Sequence, residues 1–238
     1  MTTLNVNTIT PAGSTLTLGE SGDTVVVADD VKVNTVKDAG GNTLWVSNGS
    51  GVLSSVNAGL GGAMKLLSTQ TASGSASLSF TSGIDSTYKE YIFRFYNVNP
   101  VTDGTSFGFQ VNAVGESGYN ETITSAGFRA AHGEDDTNYF NYETTSDQAQ
   151  GTAFQKLVQY IGSGGDECAN GVLHLFNPAS TIYVKNFYSR SISYWDNSKA
   201  GELYIGGYVN ITAAIDEVQF AMGSGNFDGK IKMYGISS

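Results

Sequence analysis

The sequence predicts an all-β protein. An N-terminal β-solenoid or intertwined β-prism stalk is followed by an antiparallel β-sandwich head of jelly-roll-like character. Three observations point there. Apolar and polar residues alternate with period two along many short segments, the signature of strands with one wet face. The 13 Tyr, 12 Phe and 2 Trp are unevenly spread, with Trp45 the only aromatic among residues 1–74. The first part of the chain also repeats itself: Val6-Asn7-Thr8-Ile9 through Leu16 reads like Val33-Asn34-Thr35-Val36 through Leu44.

Residues 1–48 form the repetitive segment. A repeat of this size is one supersecondary unit used twice. Short β-rich strings run through it, at Thr15–Leu18, Thr24–Val27 and Val31–Val33. Turn signals separate them at Ala12-Gly13, Glu20–Asp23, Asp29-Asp30 and Gly40–Asn42. Each apolar face is thin, and hairpins with no second layer are marginal in water. Stacked rungs, or several identical chains wrapped together, would bury those faces. Residues 49–64 follow as a Gly/Ser-rich joint without Pro.

Residues 65–238 form the head. Aromatics bury the most area per residue, so the thick core belongs here. Tyr91, Phe93 and Phe95 share one face of a strand, with Glu90, Arg94 and Tyr96 on the other. Leu203, Ile205, Val209 and Ile211 oppose Tyr204, Tyr208 and Asn210. Val218, Phe220 and Met222 alternate, as do Ile231 and Met233. Further strands are expected at 76–80, 107–111, 138–142, 156–161, 172–176 and 182–188. Only Gln148–Ile161 could hold a short helix, and Gly151 weakens it. About ten to twelve short strands at this spacing indicate a sandwich.

Charge and composition bound the function. Lys and Arg number 12 against 22 Asp and Glu, a formal net charge of −10, which argues against a nucleic-acid partner. The single Cys excludes a disulfide framework or a multi-cysteine zinc site. No apolar run approaches the roughly 18–20 residues of a membrane span. Met1–Val6 carries no basic or apolar leader pattern, so no secretory signal is expected. The sequons at Asn48, Asn120 and Asn210 are then simplest as chance.

Catalytic signatures are weak. Glu134, Asp135 and Asp136, after His132-Gly133, could hold a hard cation through oxygen, yet their spacing is not that of an EF-hand. Adjacent acids in a turn ordinarily face solvent, so no metal is assigned. Cys168 and His174 suggest a thiol and a base, but a structural Cys and a strand-face His is the simpler reading. Gly162–Gly165 lacks the Lys-Ser/Thr of a phosphate cradle. Asp196, Glu202, Asp216 and Glu217 are candidate hydrolase carboxylates only because such pairs match in space rather than in sequence. No cofactor is expected, and the chain is read as not an enzyme.

The remaining signal is aromatic. Tyr139, Phe140 and Tyr142 lie near Asn138 and Asn141, with Tyr188, Tyr194 and Trp195 on a second stretch and Tyr204 and Tyr208 on a third. Rings beside short amides and acids suit sugar faces and protein interfaces. Tyr194, Trp195, Asp196 and Asn197 are the first choice for an exposed ligand contact, although half or more of these rings belong in a core or a subunit contact.

Thr15–Val25 and the second copy through Asn42-Thr43-Leu44-Trp45 resemble the repetitive N-terminal regions of fibre proteins from tailed bacteriophages. Lys65–Ser238, with Tyr91–Phe95 early and Gly229–Ile236 at its end, looks like the β-sandwich heads carried by such stalks. The resemblance implies a homotrimeric virion protein made in the host cytoplasm. Its N-terminal segment would contact other virion proteins, and its head would adhere to a host-surface glycan or protein. The chain is short for a complete long fibre. A short tail fibre is one expectation and a capsid-attached fibre or decoration protein another, with a polysaccharide hydrolase as the third. Neither nucleic acid nor membrane insertion is expected.

Overall fold

The computed structural model describes residues 33–50, 53–56 and 63–236. The first copy of the repeat, with its strings at 15–18 and 24–27, lies outside the described residues. Two compact units divide between residues 60 and 61. No helix occurs among the described residues, and every strand pairing is antiparallel.

The smaller unit is a three-stranded meander of β1 (Thr35–Lys37), β2 (Thr43–Ser47) and β3 (Leu53–Val56). The β1–β2 turn is held by Asp38, whose carboxylate accepts the Asn42 amide at 2.8 Å while its carbonyl accepts the Gly41 amide at 3.0 Å. These Asn42 bonds hold the Asp38 carboxyl below its ordinary range. Leu53–Val56, within the expected joint, pairs with β2 through Trp45↔Val56. Of residues 33–50, 53 and 56 of this unit, none is fully buried: Trp45 is half-buried, and Leu53 is 50 % exposed. Its apolar faces are as thin in three dimensions as in the sequence.

The larger unit holds thirteen strands. They are β4 (Met64–Ser75), β5 (Ser77–Phe80), β6 (Glu90–Pro100), β7 (Thr105–Ala113), β8 (Ile123–Gly133), β9 (Asn138–Tyr142), β10 (Gln148–Gly151), β11 (Gln155–Ile161), β12 (Ala169–Phe176), β13 (Lys185–Tyr194), β14 (Lys199–Val209), β15 (Ile215–Met222) and β16 (Phe227–Ile236). Nine form one sheet, in the order β10-β8-β14-β13-β12-β6-β16-β4, with β9 sharing the outer edge of β8 beside β10. Four form the second sheet, in the order β11-β7-β15-β5.

Gln148–Ile161, the one stretch that could have held a short helix, is two strands, the second at the expected 156–161. Gln155, Leu157 and Val158 are buried against β7, and that pairing outweighs any local preference. The strand expected from Ile182 begins at Lys185, leaving Ile182 and Tyr183 in an exposed loop.

Period two decides the core. Tyr91, Phe93 and Phe95 on β6 face inward, as do Leu203, Ile205 and Val209 on β14. Rings from the two sheets meet between them. Phe93 and Phe220 have centroids 5.4 Å apart, Phe109 and Phe187 5.1 Å, and Phe95 and Phe107 5.3 Å. Such pairs add roughly 0.5–1.5 kcal/mol each beyond the area they bury.

At the β8–β11 side a polar network replaces the rings. Arg129 Nε contacts Glu143 Oε2 at 2.6 Å, and Ser125 Oγ donates to Gln155 Oε1 at 2.7 Å. The Arg129 guanidinium lies among Tyr139, Tyr160 and Trp195, with Cζ 5.2, 5.3 and 5.5 Å from the ring centroids. Tyr160 takes a positive φ of 55°, rare for a bulky residue, where the β11–β7 register shifts.

Candidate aromatic binding face

Even-numbered residues of β12, β13 and β14 project from the outer face of the large sheet, away from the four-stranded layer. The registers align them into rows. Tyr204 pairs with Phe128, and Phe128 with Tyr142. Arg190 pairs with Tyr204, and His174 with Tyr188. Tyr142, Phe128 and Tyr204 thus form a row across β9, β8 and β14, with Tyr188 and His174 in the adjoining row on β13 and β12.

The rings contact one another. Phe128 and Tyr204 stack at 4.7 Å with planes 12° apart. Phe140 leans on Phe128 at 5.3 Å, and His174 stacks on Tyr188 at 4.4 Å. The Arg190 guanidinium covers Tyr204 from 5.2 Å and bonds Glu202 at 2.5 Å. Phe140 is 70 % exposed, and Tyr142, Tyr188 and Phe128 are also exposed. Together they make a contiguous apolar patch on a chain of net charge −10. Such patches mark interaction sites.

The patch contains a groove of about 390 Å³, floored by Ala126 and Gly206 and walled by Phe128, Tyr142, Tyr188 and Tyr204. Ala126 and Gly206 are register partners, so the floor is a gap in the side-chain layer. A Cβ at Gly206 would meet only Phe187 O at 3.9 Å and Tyr188 Cβ at 4.0 Å, which is ordinary contact. Neither sterics nor backbone demands glycine there. The missing side chain opens the groove.

The four residues expected as a ligand contact separate. Tyr194 is 37 % exposed and donates to Glu134 at 3.2 Å. Asp196 and Asn197 are exposed in the β13–β14 turn. Trp195, expected on the outside, is only 4 % exposed, and its indole lies over Gly201 against Tyr139 and Tyr160. The hairpin alternation turns it inward. Tyr139 likewise faces the Arg129 network, whereas Phe140 and Tyr142 face out. Tyr208 is half-buried. Phe128 was not singled out by the sequence; its alternation with Arg129 was the available signal.

The chemical candidates do not converge. Asp196 lies by Gly104, just before β7, whereas Asp216 and Glu217 pair near Asn112 at its far end. That length of strand spans roughly 25 Å, far beyond the 5–10 Å of paired glycosidase carboxylates. Glu217 accepts from the Tyr119 hydroxyl at 2.6 Å. Burial, then Asp103 and Glu167, push the Asp196 carboxyl up.

Cys168 precedes β12 and His174 lies within it, six residues or about 20 Å along an extended chain, and His174 Nδ1 bonds Glu90 Oε1 at 2.5 Å. In the acidic turn Asp135 accepts from the Thr137 hydroxyl at 2.6 Å, and His132 lies 3.4 Å from Asp136. Among the described residues, no three or more His, Cys, Asp or Glu are grouped to hold a metal ion. No helix among them is long and apolar enough to cross a membrane.

No family model, no curated protein and no solved structure matches this chain.

Proposed function

We propose that the chain is a structural virion fibre protein of a tailed bacteriophage. It is a homotrimer, anchored in the particle through its N-terminal region and adhering to the host surface through its head. The aromatic band across the outer face of the large sheet carries this reading: it is a rigid, exposed and preformed contact surface for a glycan or protein. The meander of β1, β2 and β3 supports the association. Residues 33–50, 53 and 56 of it include none that is fully buried, as expected of a segment that completes its core with identical chains in a solenoid or prism stalk. The head is read as jelly-roll-like and non-catalytic.

Sedimentation equilibrium on the full chain tests the assembly. The expected mass is three times 25.1 kDa, stable to dilution into the nanomolar range. A monomer at micromolar concentration would overturn the reading.

A further inference from the structure

A second groove, of about 570 Å³, opens on the same outer face at the other side of the large sheet, over β6, β16 and β4. Thr71, Tyr96, Asn97, Lys230 and Lys232 line it. The register places Lys232 directly opposite Arg94, and Lys230 opposite Tyr96. Three of the protein's 12 basic residues therefore occupy two adjacent rows, about 7 Å apart. Among the described residues, none of the three has an ion-pair partner. The Lys232 ammonium lies 5.9 Å from the Tyr96 ring, and the Arg94 guanidinium 5.9 Å from Tyr234. The one lining carboxylate, Asp228, is engaged by the Gly74 amide at 2.7 Å.

A local excess of positive charge on a chain of net −10 calls for an anionic partner at this spot. Charges elsewhere on the protein are screened beyond about 10 Å at ordinary salt. Two lysines set beside a tyrosine face, a threonine hydroxyl and an amide, with Arg94 next to them, suit separated charges between hydroxyl-bearing rings. They do not suit duplex nucleic acid, which carries one charge per about 1.7 Å. Tyr96, 37 % exposed, offers a flat apolar face for the C–H side of a sugar. β-bulges at Asn99–Tyr96 opposite Asp228–Lys230 re-aim the side chains at this point.

We infer that this groove binds an acidic polysaccharide, its carboxylate or sulfate groups held by Lys230 and Lys232, with Arg94 adding to the positive field beside it, and a sugar ring lying on Tyr96. The assignment rests on the adhesive reading above for its setting and names the ligand chemistry.

Affinity electrophoresis of the full chain tests it, with polygalacturonate, dextran sulfate, neutral dextran and polyglutamate in the gel. At least one acidic polysaccharide should retard the protein, and neutral dextran should not. Lys230→Gln/Lys232→Gln and Tyr96→Ala should each weaken that binding at least tenfold, whereas Lys156→Gln should leave it unchanged. Retardation by neither acidic polysaccharide would overturn the assignment, as would variants that bind like the parent. So would equal retardation by polyglutamate that ignores Tyr96→Ala, which would mark an acidic protein partner. Polysaccharide binding by a chain that sediments as a monomer would sink the fibre reading and leave the groove assigned.

Discussion

Tyr204 stacks on Phe128 across the β8–β14 register, with centroids 4.7 Å apart and planes 12° from parallel. Both rings stand on the solvent side of the sheet, so their contact is a cross-strand pair and not part of the core. Such pairs contribute roughly 0.5–1.5 kcal/mol. A double-mutant cycle of Phe128→Ala and Tyr204→Ala, read by urea unfolding, should return a coupling of about 1 kcal/mol. Phe140→Ser removes a ring that is 70 % exposed. It should change stability by less than about 0.5 kcal/mol while lowering the fluorescence of an anilinonaphthalene dye bound to the native protein.

Two of the glycines of β14, Gly201 and Gly206, should respond in opposite ways. A Cβ at Gly201 would overlap Nε1 and Cε2 of Trp195, so the buried indole must move. Gly201→Ala is expected to cost about 2–3 kcal/mol and to alter the near-ultraviolet circular dichroism of the tryptophans. Gly206 has open space above it. Gly206→Val should leave stability unchanged or raise it by about 0.5 kcal/mol, because glycine is a poor strand residue. It should also abolish dye binding in the aromatic groove. A destabilised Gly206→Val variant would show that the gap is structural.

Much of this architecture is legible in the sequence wherever aromatic or branched residues alternate. Tyr91, Phe93 and Phe95 face inward as their spacing demands, and Asn138–Tyr142 is a strand with the expected bounds. β4 and β8 escape such reading because Ser, Thr, Ala and Gly dominate them, leaving little contrast between faces. In Gln148–Ile161 the inward residues include Gln155, whose burial is satisfied only by partners such as Ser125 and Ser146. The position of Trp195 depends on Gly201 across the hairpin, and the cationic groove on the pairing of β6 with β16. Both are decided by sheet order, which local pattern does not carry.

The Arg129–Glu143 pair makes acid stability testable. Burial pushes the Glu143 carboxyl up, but the Thr145 hydroxyl and amide and the Arg129 guanidinium outweigh it and hold the group below its ordinary 4.5. A carboxyl with a depressed native pKa adds stability above its unfolded value and loses it as pH falls through the native one. Unfolding free energy should therefore decline below about pH 4.5 and less steeply in Glu143→Gln. At pH 7, Glu143→Ala should cost about 2 kcal/mol by leaving the half-buried Arg129 without its carboxylate. Equal acid slopes in the parent and Glu143→Gln would assign the loss to other carboxylates, among them Asp85, which Thr87 holds low.

Lys185 gives the opposite pH signature. It is fully buried at the start of β13, and its ammonium donates to the carbonyls of Tyr183 and Ile211, each at 3.1 Å, with no carboxylate in contact among the described residues. Burial lowers its pKa from 10.5. Below that lowered value both native and unfolded states are protonated, and the native state bears the full cost of the buried charge. As pH rises toward 10.5, the native protein releases the proton while the unfolded chain still holds it, so stability rises. Lys185→Met keeps the apolar stem and removes the charge. The two carbonyls then lose their donor, a loss of about the same size as the relief of the buried charge. The variant should thus stay within about 1 kcal/mol of the parent at pH 7. The parent should gain in urea midpoint between pH 7 and pH 10 relative to Lys185→Met. Parallel midpoints across that range would mean that the ammonium is solvated in the native protein.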